Sequence, residues 1–341
     1  MNRWTFEEDL EEIAGRIDTK DYAGKNVLVT GATGMLGSYF LNTLTGLLDL
    51  QGYKPASITA TSKSGDFSNL KDNVSKSVIH HHTGFLTATN TKTQFDIIFH
   101  AASPASPASY ADITSIKDAN LQPIDFLQKT QKNLQQIIYI SAGETYGTSI
   151  NRPEESGVQD FLGIPEGRQN YPKIKLLSEG KIKELGVKSG AKTTIIKLFH
   201  TFGPGVRKND GRSFADFLWA VAEDRKPIVK SSGSSIRSFL YLEDTVAGIV
   251  LASDLLEGIT TIRIGSSRLV SIKDFAQMVC EVSGSNLSPI FTDQESGIES
   301  SPHDLISPET SDLRQLGWEE TISLESAIDK TMRWMRQKNH S

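Results

Sequence analysis

The chain has 341 residues, with 36 Lys and Arg against 41 Asp and Glu, a net charge of −5, a pI near 5.9 and mean hydropathy −0.29, which excludes general disorder and a surface built to coat nucleic acid or anionic lipid. A single cysteine, Cys280, excludes an internal disulfide and a cysteine-cage metal centre, and no apolar run reaches the roughly 18 residues of a membrane span. The expectation is a soluble, cytoplasmic protein with no nucleic-acid, membrane or metal partner, long enough for one large α/β unit or two lobes.

Residues 5–18 predict an amphipathic helix: Phe6, Leu10, Ile13 and Ile17 recur at helical spacing, and Thr5 with Glu8 fits a capping box. This segment, within residues 1–24, reads as a packing appendage. Beyond Gly24, strands and helices alternate. Asn26–Thr30 is a short apolar strand that enters a glycine turn and a helix through Asp49. Residues 57–61, 77–81, 96–100, 136–140 and 193–199 read as further strands, with helices over 114–130 and after Tyr171. That alternation predicts an α/β fold with a doubly wound parallel sheet. His80, His81 and His82 read as a strand end, because no carboxylate or cysteine cluster accompanies them.

From Phe202 the texture loosens through Gly-Pro-Gly, Asn-Asp-Gly and a Ser/Pro-rich stretch near 296–308, and a helix over 324–337 closes the chain. Phe214, Phe217, Leu218 and Val221, at helical spacing, read as core. The expected division gives residues 25–200, rejoined by about 236–257, to the sheet domain. Residues 201–235 and 258–341 then form a smaller C-terminal α/β lobe.

Residues 27–37 read Val-Leu-Val-Thr-Gly-Ala-Thr-Gly-Met-Leu-Gly, a strand, a glycine turn and a helix start. Gly31 permits the turn, Gly34 lets backbone approach a pyrophosphate, and Gly37 permits close helix–strand packing. Gly31, Thr33, Gly34, Met35, Leu36 and Gly37 are therefore the candidate dinucleotide cradle. At the end of the second strand, Ile-Thr-Ala-Thr-Ser-Lys-Ser carries no carboxylate before Asp66 to bond an adenosine ribose. Ser62 and Lys63 stand there instead, which leaves NADP open beside NAD.

Tyr171 and Lys175 lie four residues apart, on one face if helical. With Pro172 in a first turn, the helix N-terminus and the nearby ammonium are expected to lower the phenol's pKa, making Tyr171 a usable general base.

The glycine spacing, and Tyr-x-x-x-Lys about 25 residues after Ser141-Ala-Gly-Glu-Thr-Tyr-Gly147, resemble the extended short-chain dehydrogenase/reductase family, whose Rossmann-fold members act on nucleotide-linked sugars. The resemblance runs from Val27 to about Trp334. It implies that the segment from His100 to Pro107 lines the cofactor with Ala101 and Ala102 and meets substrate with Ser103. By the same resemblance Ser141 belongs to the cofactor site, Glu144, Tyr171 and Lys175 to catalysis, and His200, Arg212 and Arg237 to the sugar nucleotide, Arg237 on its diphosphate. UDP-glucuronate decarboxylases carry the most similar pattern. They imply a UDP-linked substrate oxidised at C4 with NAD, and a homodimer packed through helices near 114–130 and 172–188. Epimerisation, 4,6-dehydration and 4-keto reduction are the alternatives. A dehydratase would place an acid at Gly143.

One position departs from the pattern. The family's Ser or Thr that shares the 4-hydroxyl's hydrogen bond is Ala142 here. Strand alternation aims the adjacent Ser141 to the other face. Either Glu144 or water takes over the missing bond, or the chain is a catalytically weak nucleotide-sugar-binding protein.

Overall fold

A computed structural model describes residues 3–68, 70, 79–151, 161, 164–292 and 303–339. Seven strands form one parallel sheet: β1 (Asn26–Thr30), β2 (Ser57–Ser62), β3 (Ile79–Thr83), β4 (Ile97–His100), β5 (Gln136–Ala142), β6 (Lys192–Leu198) and β11 (Ile259–Ile264). Their order is β11-β6-β5-β4-β1-β2-β3. Every residue of β4 and β5 is buried, as a strand covered by helices on both faces requires, whereas β3 at the edge is half exposed. The chain winds one way from β1 through β2 to β3 and the other way from β4 onward. The order therefore reverses between β1 and β4, where a doubly wound sheet leaves a crevice at its carboxyl ends.

The helices are α1 (Phe6–Ala14), α2 (Met35–Gln51), α3 (Ile113–Thr130), α4 (Glu166–Ser189), α5 (Ser213–Ala222), α6 (Leu242–Leu255), α7 (Ile272–Val282), α8 (Ser311–Gln315) and α9 (Leu324–Asn339). Three helices, α5, α7 and α9, surround a second core built on Phe202, Phe214, Phe239, Tyr241 and Phe275. Short strand pairs β7 (Thr201–Phe202) with β10 (Leu240–Tyr241), β8 (Ile228–Val229) with β13 (Ile290–Phe291), and β9 (Ile236–Ser238) with β12 (Leu269–Ser271) complete this lobe.

Three expectations are corrected. Residues 259–264, assigned by the loosened texture to the second lobe, pair along their whole length with β6 as the sheet's last strand. Leu313 and Trp318 likewise join the sheet's core, the Trp318 indole donating to the Asp244 carbonyl at 2.9 Å. Thr5 makes no side-chain cap on α1; Glu8 instead reaches Arg333 of α9 at 3.1 Å. The helix expected to open at Tyr171 begins at Glu166, after Pro165, so Tyr171 stands in its second turn and Pro172 inside it. Residues 77–78 of the expected third strand, and 296–302 of the Ser/Pro-rich stretch, lie outside the described residues. His81 of β3 stacks on Phe67 at 4.3 Å.

Helix α1 is more than a cover. Its Asp9 is buried, accepts from the phenols of Tyr39 on α2 and Tyr241 at 2.8 Å each, and pairs with Lys330 of α9 at 3.0 Å. Lys330 also meets Glu12 at 2.7 Å and Glu243 at 3.4 Å, while Arg16 meets Asp244 at 2.8 Å. Burial works against the Lys330 ammonium, but the surrounding carboxylates hold its pKa above the ordinary lysine value.

Candidate functional site

The crevice over the β1–β4 reversal is a cleft lined by the glycine turn, the loop after β4, the ends of β5 and β6, α4, and residues 205–212 of the second lobe. Its floor is the turn after β1. Gly31 has φ 70°, and a Cβ there would lie 2.8 Å from the backbone of Ala102; a Cβ on Gly37 would lie 2.1 Å from the Gly31 carbonyl. Only hydrogen fits at either position, so backbone rather than side chains forms the surface. Helix α2 opens at Gly34 with no side-chain cap, and its first amides and dipole present an anion receptor. This donor set fits the pyrophosphate of a dinucleotide, with Met35, Leu36, Ala101 and Ser141 also on the lining.

At the end of β2 the side chains are engaged elsewhere. The Ser62 hydroxyl bonds that of Thr33 at 2.7 Å, tying strand to turn, and the Lys63 ammonium donates to Ser115 of α3 at 2.7 Å. Thr33, Ser62, Lys63 and Ala102 are not on the cleft wall, although Ala102 packs against Gly31.

The carboxyl end of β5 brings the expected reacting groups together. Tyr171 is buried, and its ring shares a small apolar cluster with Ala142, Tyr110 and Ile116. Alternation along β5 holds as expected: Ala142 faces this cluster, and the Ser141 hydroxyl turns away to the Glu179 carboxylate, which Lys197 also pairs at 2.6 Å. Lys175 is buried one turn beyond Tyr171, donating to the Ile140 carbonyl at 2.7 Å, with its ammonium 5.9 Å from the Tyr171 ring centroid. Burial pushes the Lys175 pKa down to about 7.

The expected lowering of the Tyr171 pKa is overturned. Burial, aided by the charge of Glu144, raises that phenol, while Arg212 and a bond from Ser103 oppose the rise. The helix dipole acts mainly within the first turn, and Tyr171 is past it.

Glu144 stands just beyond β5 on a 3-10 turn, Gly143–Ser149. One of its oxygens accepts from the Tyr110 phenol at 2.8 Å and the other lies 3.7 Å from Arg168. The Tyr110 ring stacks on Tyr171 at 4.9 Å and 8°. A Cβ on Gly143 would come within 2.6 Å of the Phe199 ring, so the acid that a dehydratase would place there has no room.

From the second lobe, Arg212 forks onto Asp210 and lies 5.0 Å over the Phe214 ring. His200 lines the cleft with Nδ1 buried and unpartnered; burial, then the charges of Arg237, Arg212 and Arg168, push its pKa down to about 3. Arg237 lies behind the wall, donating to the carbonyls of Ile236 and His303 at 2.8 Å, and burial lowers it to about 10. Ser103 accepts from Asn120 at 2.9 Å.

Tyr110 and Arg168 were not singled out by the sequence. Tyr110 is the one aromatic residue in a loop of small residues after β4, and Arg168 precedes Tyr171 by three residues, a helical turn, which becomes a signal only once α4 is known to begin at Glu166. Among the described residues, no group of three His, Cys, Asp or Glu is placed to hold a metal, and no helix is long and apolar enough to cross a membrane.

Fold and cleft together define a two-lobed, dinucleotide-binding α/β protein. Residues 27–265 match the NAD dependent epimerase/dehydratase family, and the chain belongs to it. Its curated relatives include UDP-glucuronic acid decarboxylase 1 of Xenopus tropicalis, 25% identical over 325 residues that cover 92% of this chain and 73% of that protein. UDP-glucuronic acid decarboxylase 6 of Arabidopsis thaliana is 27% identical over 313 residues, covering 89% and 86%. The fold is shared with UDP-N-acetylglucosamine 4-epimerase from Methanobrevibacter ruminantium M1, at TM-score 0.75, 19% identity, and coverage of 93% and 99%. It is also shared with UDP-glucuronic acid 4-epimerase from Bacillus cereus, solved with UDP-glucuronic acid and NAD, at TM-score 0.72, 22% identity, and coverage of 92% and 99%.

Proposed function

We propose that the chain is a UDP-glucuronate decarboxylase acting through oxidation at C4. The observation that carries this reading is the charge of the cleft. Arg168, Arg207, Arg212 and Lys175 line it against two carboxylates, Glu144 and Asp210, and Asp210 is already forked by Arg212. Such a wall suits a diphosphate and a second anion on the sugar. The decarboxylase relatives point the same way, and the crowding of Gly143 by Phe199 argues against dehydration.

The glycine-turn amides of Gly31–Gly37 would hold the pyrophosphate of NAD, which would supply hydride acceptance at C4 and its return. Tyr171 takes the proton of the sugar 4-hydroxyl, with Arg212 and Ser103 offsetting part of the burial that raises its phenol and the Lys175 ammonium 5.9 Å from its ring centroid. The C4 ketone lies β to the C5 carboxylate. Electrons of the C5–carboxylate bond then flow toward the ketone as carbon dioxide leaves, and C5 is protonated before the alcohol is restored. His200, kept neutral, lines the cleft as an uncharged imidazole for substrate. Arg237 braces the segment around His303 and acts on the diphosphate through its field.

We assign NAD over NADP because Ser62 is tied to Thr33 and Lys63 to Ser115, which leaves a 2′-phosphate without an uncommitted partner from that strand end. A homodimer through α3 and α4 accounts for the exposed Ile113, Leu177 and Val187 on those helices. The second reading, a weak enzyme that mainly binds nucleotide sugars, rests on Ala142.

Incubation with UDP-glucuronate and each dinucleotide, followed by mass spectrometry of the sugar nucleotides, tests these assignments. Formation of UDP-pentose and carbon dioxide with NAD is expected. A UDP-hexuronate epimer as the product would replace decarboxylation with epimerisation. Tight binding without turnover would favour the second reading.

A further inference from the structure

Ala142 leaves a gap in the reacting group, and the structure shows what occupies its surroundings. Within the small cluster around Ala142, the Tyr110 ring lies flat on Tyr171, 4.9 Å away and 8° from parallel. The same residue's hydroxyl donates at 2.8 Å to Glu144, the cleft carboxylate that Arg212 does not fork. Packing alone would be met by a phenylalanine. The hydroxyl adds a link between two groups that come from different elements, α4 and the turn after β5.

We propose that Tyr110 is a positioning residue that joins the Tyr171 ring and the Glu144 carboxylate into one unit aligning the sugar 4-hydroxyl, the task left open at Ala142. The inference rests on the decarboxylase reading above. Burial, together with the neighbouring Glu144 charge, raises the Tyr110 phenol well above its ordinary range, so it remains a proton donor to Glu144 throughout the working pH range. Arg168 lies 5.9 Å over the Tyr110 ring and 3.7 Å from Glu144, which fixes the unit from its open side. Alignment by a shared rigid unit acts on the reacting step more than on binding, because the diphosphate contacts are elsewhere.

The test compares Tyr110→Phe in two backgrounds, the natural chain and Ala142→Ser, which restores a hydroxyl at the gap; Ala142→Thr repeats the comparison if the serine variant does not fold. Turnover of UDP-glucuronate with NAD gives kcat and KM, and calorimetry gives equilibrium affinity for UDP-glucuronate. In the natural background Tyr110→Phe is expected to lower kcat about tenfold or more, the size of a lost hydrogen bond to a charged group, with KM and affinity held within about twofold. In the Ala142→Ser background the same substitution is expected to cost under about threefold, because the two hydroxyls share one task. A penalty that is absent in the natural background, or that shrinks by less than about twofold in the serine background, overturns the inference. A loss carried by affinity rather than kcat overturns it too. Should the natural chain convert no UDP-glucuronate, the decarboxylase reading falls and this inference with it, whereas a background-independent penalty in an active enzyme sinks the inference alone.

Discussion

The fold holds two buried charge clusters, and they are solved differently. Around Lys330, charge is matched within the fold: Asp9, Glu12 and Glu243 surround one ammonium, Tyr39 and Tyr241 complete Asp9, and Arg16 reaches Asp244. In the cleft and just behind its wall, charge is left over. Lys175 leans on a backbone carbonyl, Arg237 on three, and His200 has a buried nitrogen with no bond. Burial lowers all three, to about 7, 10 and 3. A fold has no stability reason to bury Lys175 and Arg237 without a carboxylate partner, so the second cluster reads as a receptor for an anion and the first as a fastener.

The sharpest break between the two is expected from Tyr171→Phe. Turnover should fall by roughly 10²–10⁴-fold while urea unfolding stays unchanged, since the phenol supports a proton transfer; a variant with full turnover would remove Tyr171 from the chemistry. Lys330→Met should do the opposite. It leaves Asp9 and Glu243 buried without their cation, at about 3–5 kcal/mol of stability, while kcat per folded molecule is retained. Equal stability in urea would show that the cluster holds nothing together.

A smaller effect concerns pH. Lys175 is charged below about 7 and neutral above it, because burial lowers the pKa it would have in the unfolded chain. An incoming diphosphate favours the charged form, so affinity for a nucleotide sugar should be highest below pH 7. It should weaken about three- to tenfold as pH rises through 7 toward 9, with proton uptake on binding at pH 8. Calorimetry in buffers of different ionisation heat measures both, and a Lys175→Met variant should show neither. The weakest expected effect lies at the fastener's rim: Arg333→Gln, which breaks the half-exposed pair with Glu8, should cost about 0–1 kcal/mol.

Much of this was legible in the sequence because it is local. The glycine turn needs three residues within seven, and the Tyr171–Lys175 spacing needs one helical turn, so the fold class, the candidate cofactor cradle and the candidate reacting pair all follow from short windows. Strand alternation also placed Ala142 and Ser141 on opposite faces correctly. What escaped depends on residues distant in sequence. Asp9 sits in an amphipathic pattern as a solvated acid, and only Lys330 and two tyrosines from other elements make it a buried one. The sign of the Tyr171 shift escaped for a similar reason: its burial is created by Tyr110 and Ile116, and the true start of α4 removed the dipole from the account. Residues 259–264 were misassigned because a strand's partner is not written in its own composition.

The Asp9–Lys330 pair has a consequence for how the chain is made. Its partners are separated by nearly the whole length of the polypeptide; Lys330 and Glu12 stand 318 residues apart. During synthesis from the N-terminus, the first helix is finished long before the last one exists. Its apolar face can pack on α2 and α6 before then, but Asp9 has no ammonium to meet until α9 leaves the ribosome. A chain truncated before residue 330 should therefore hold α1 less tightly, and protease should cut residues 6–14 faster than in the full chain.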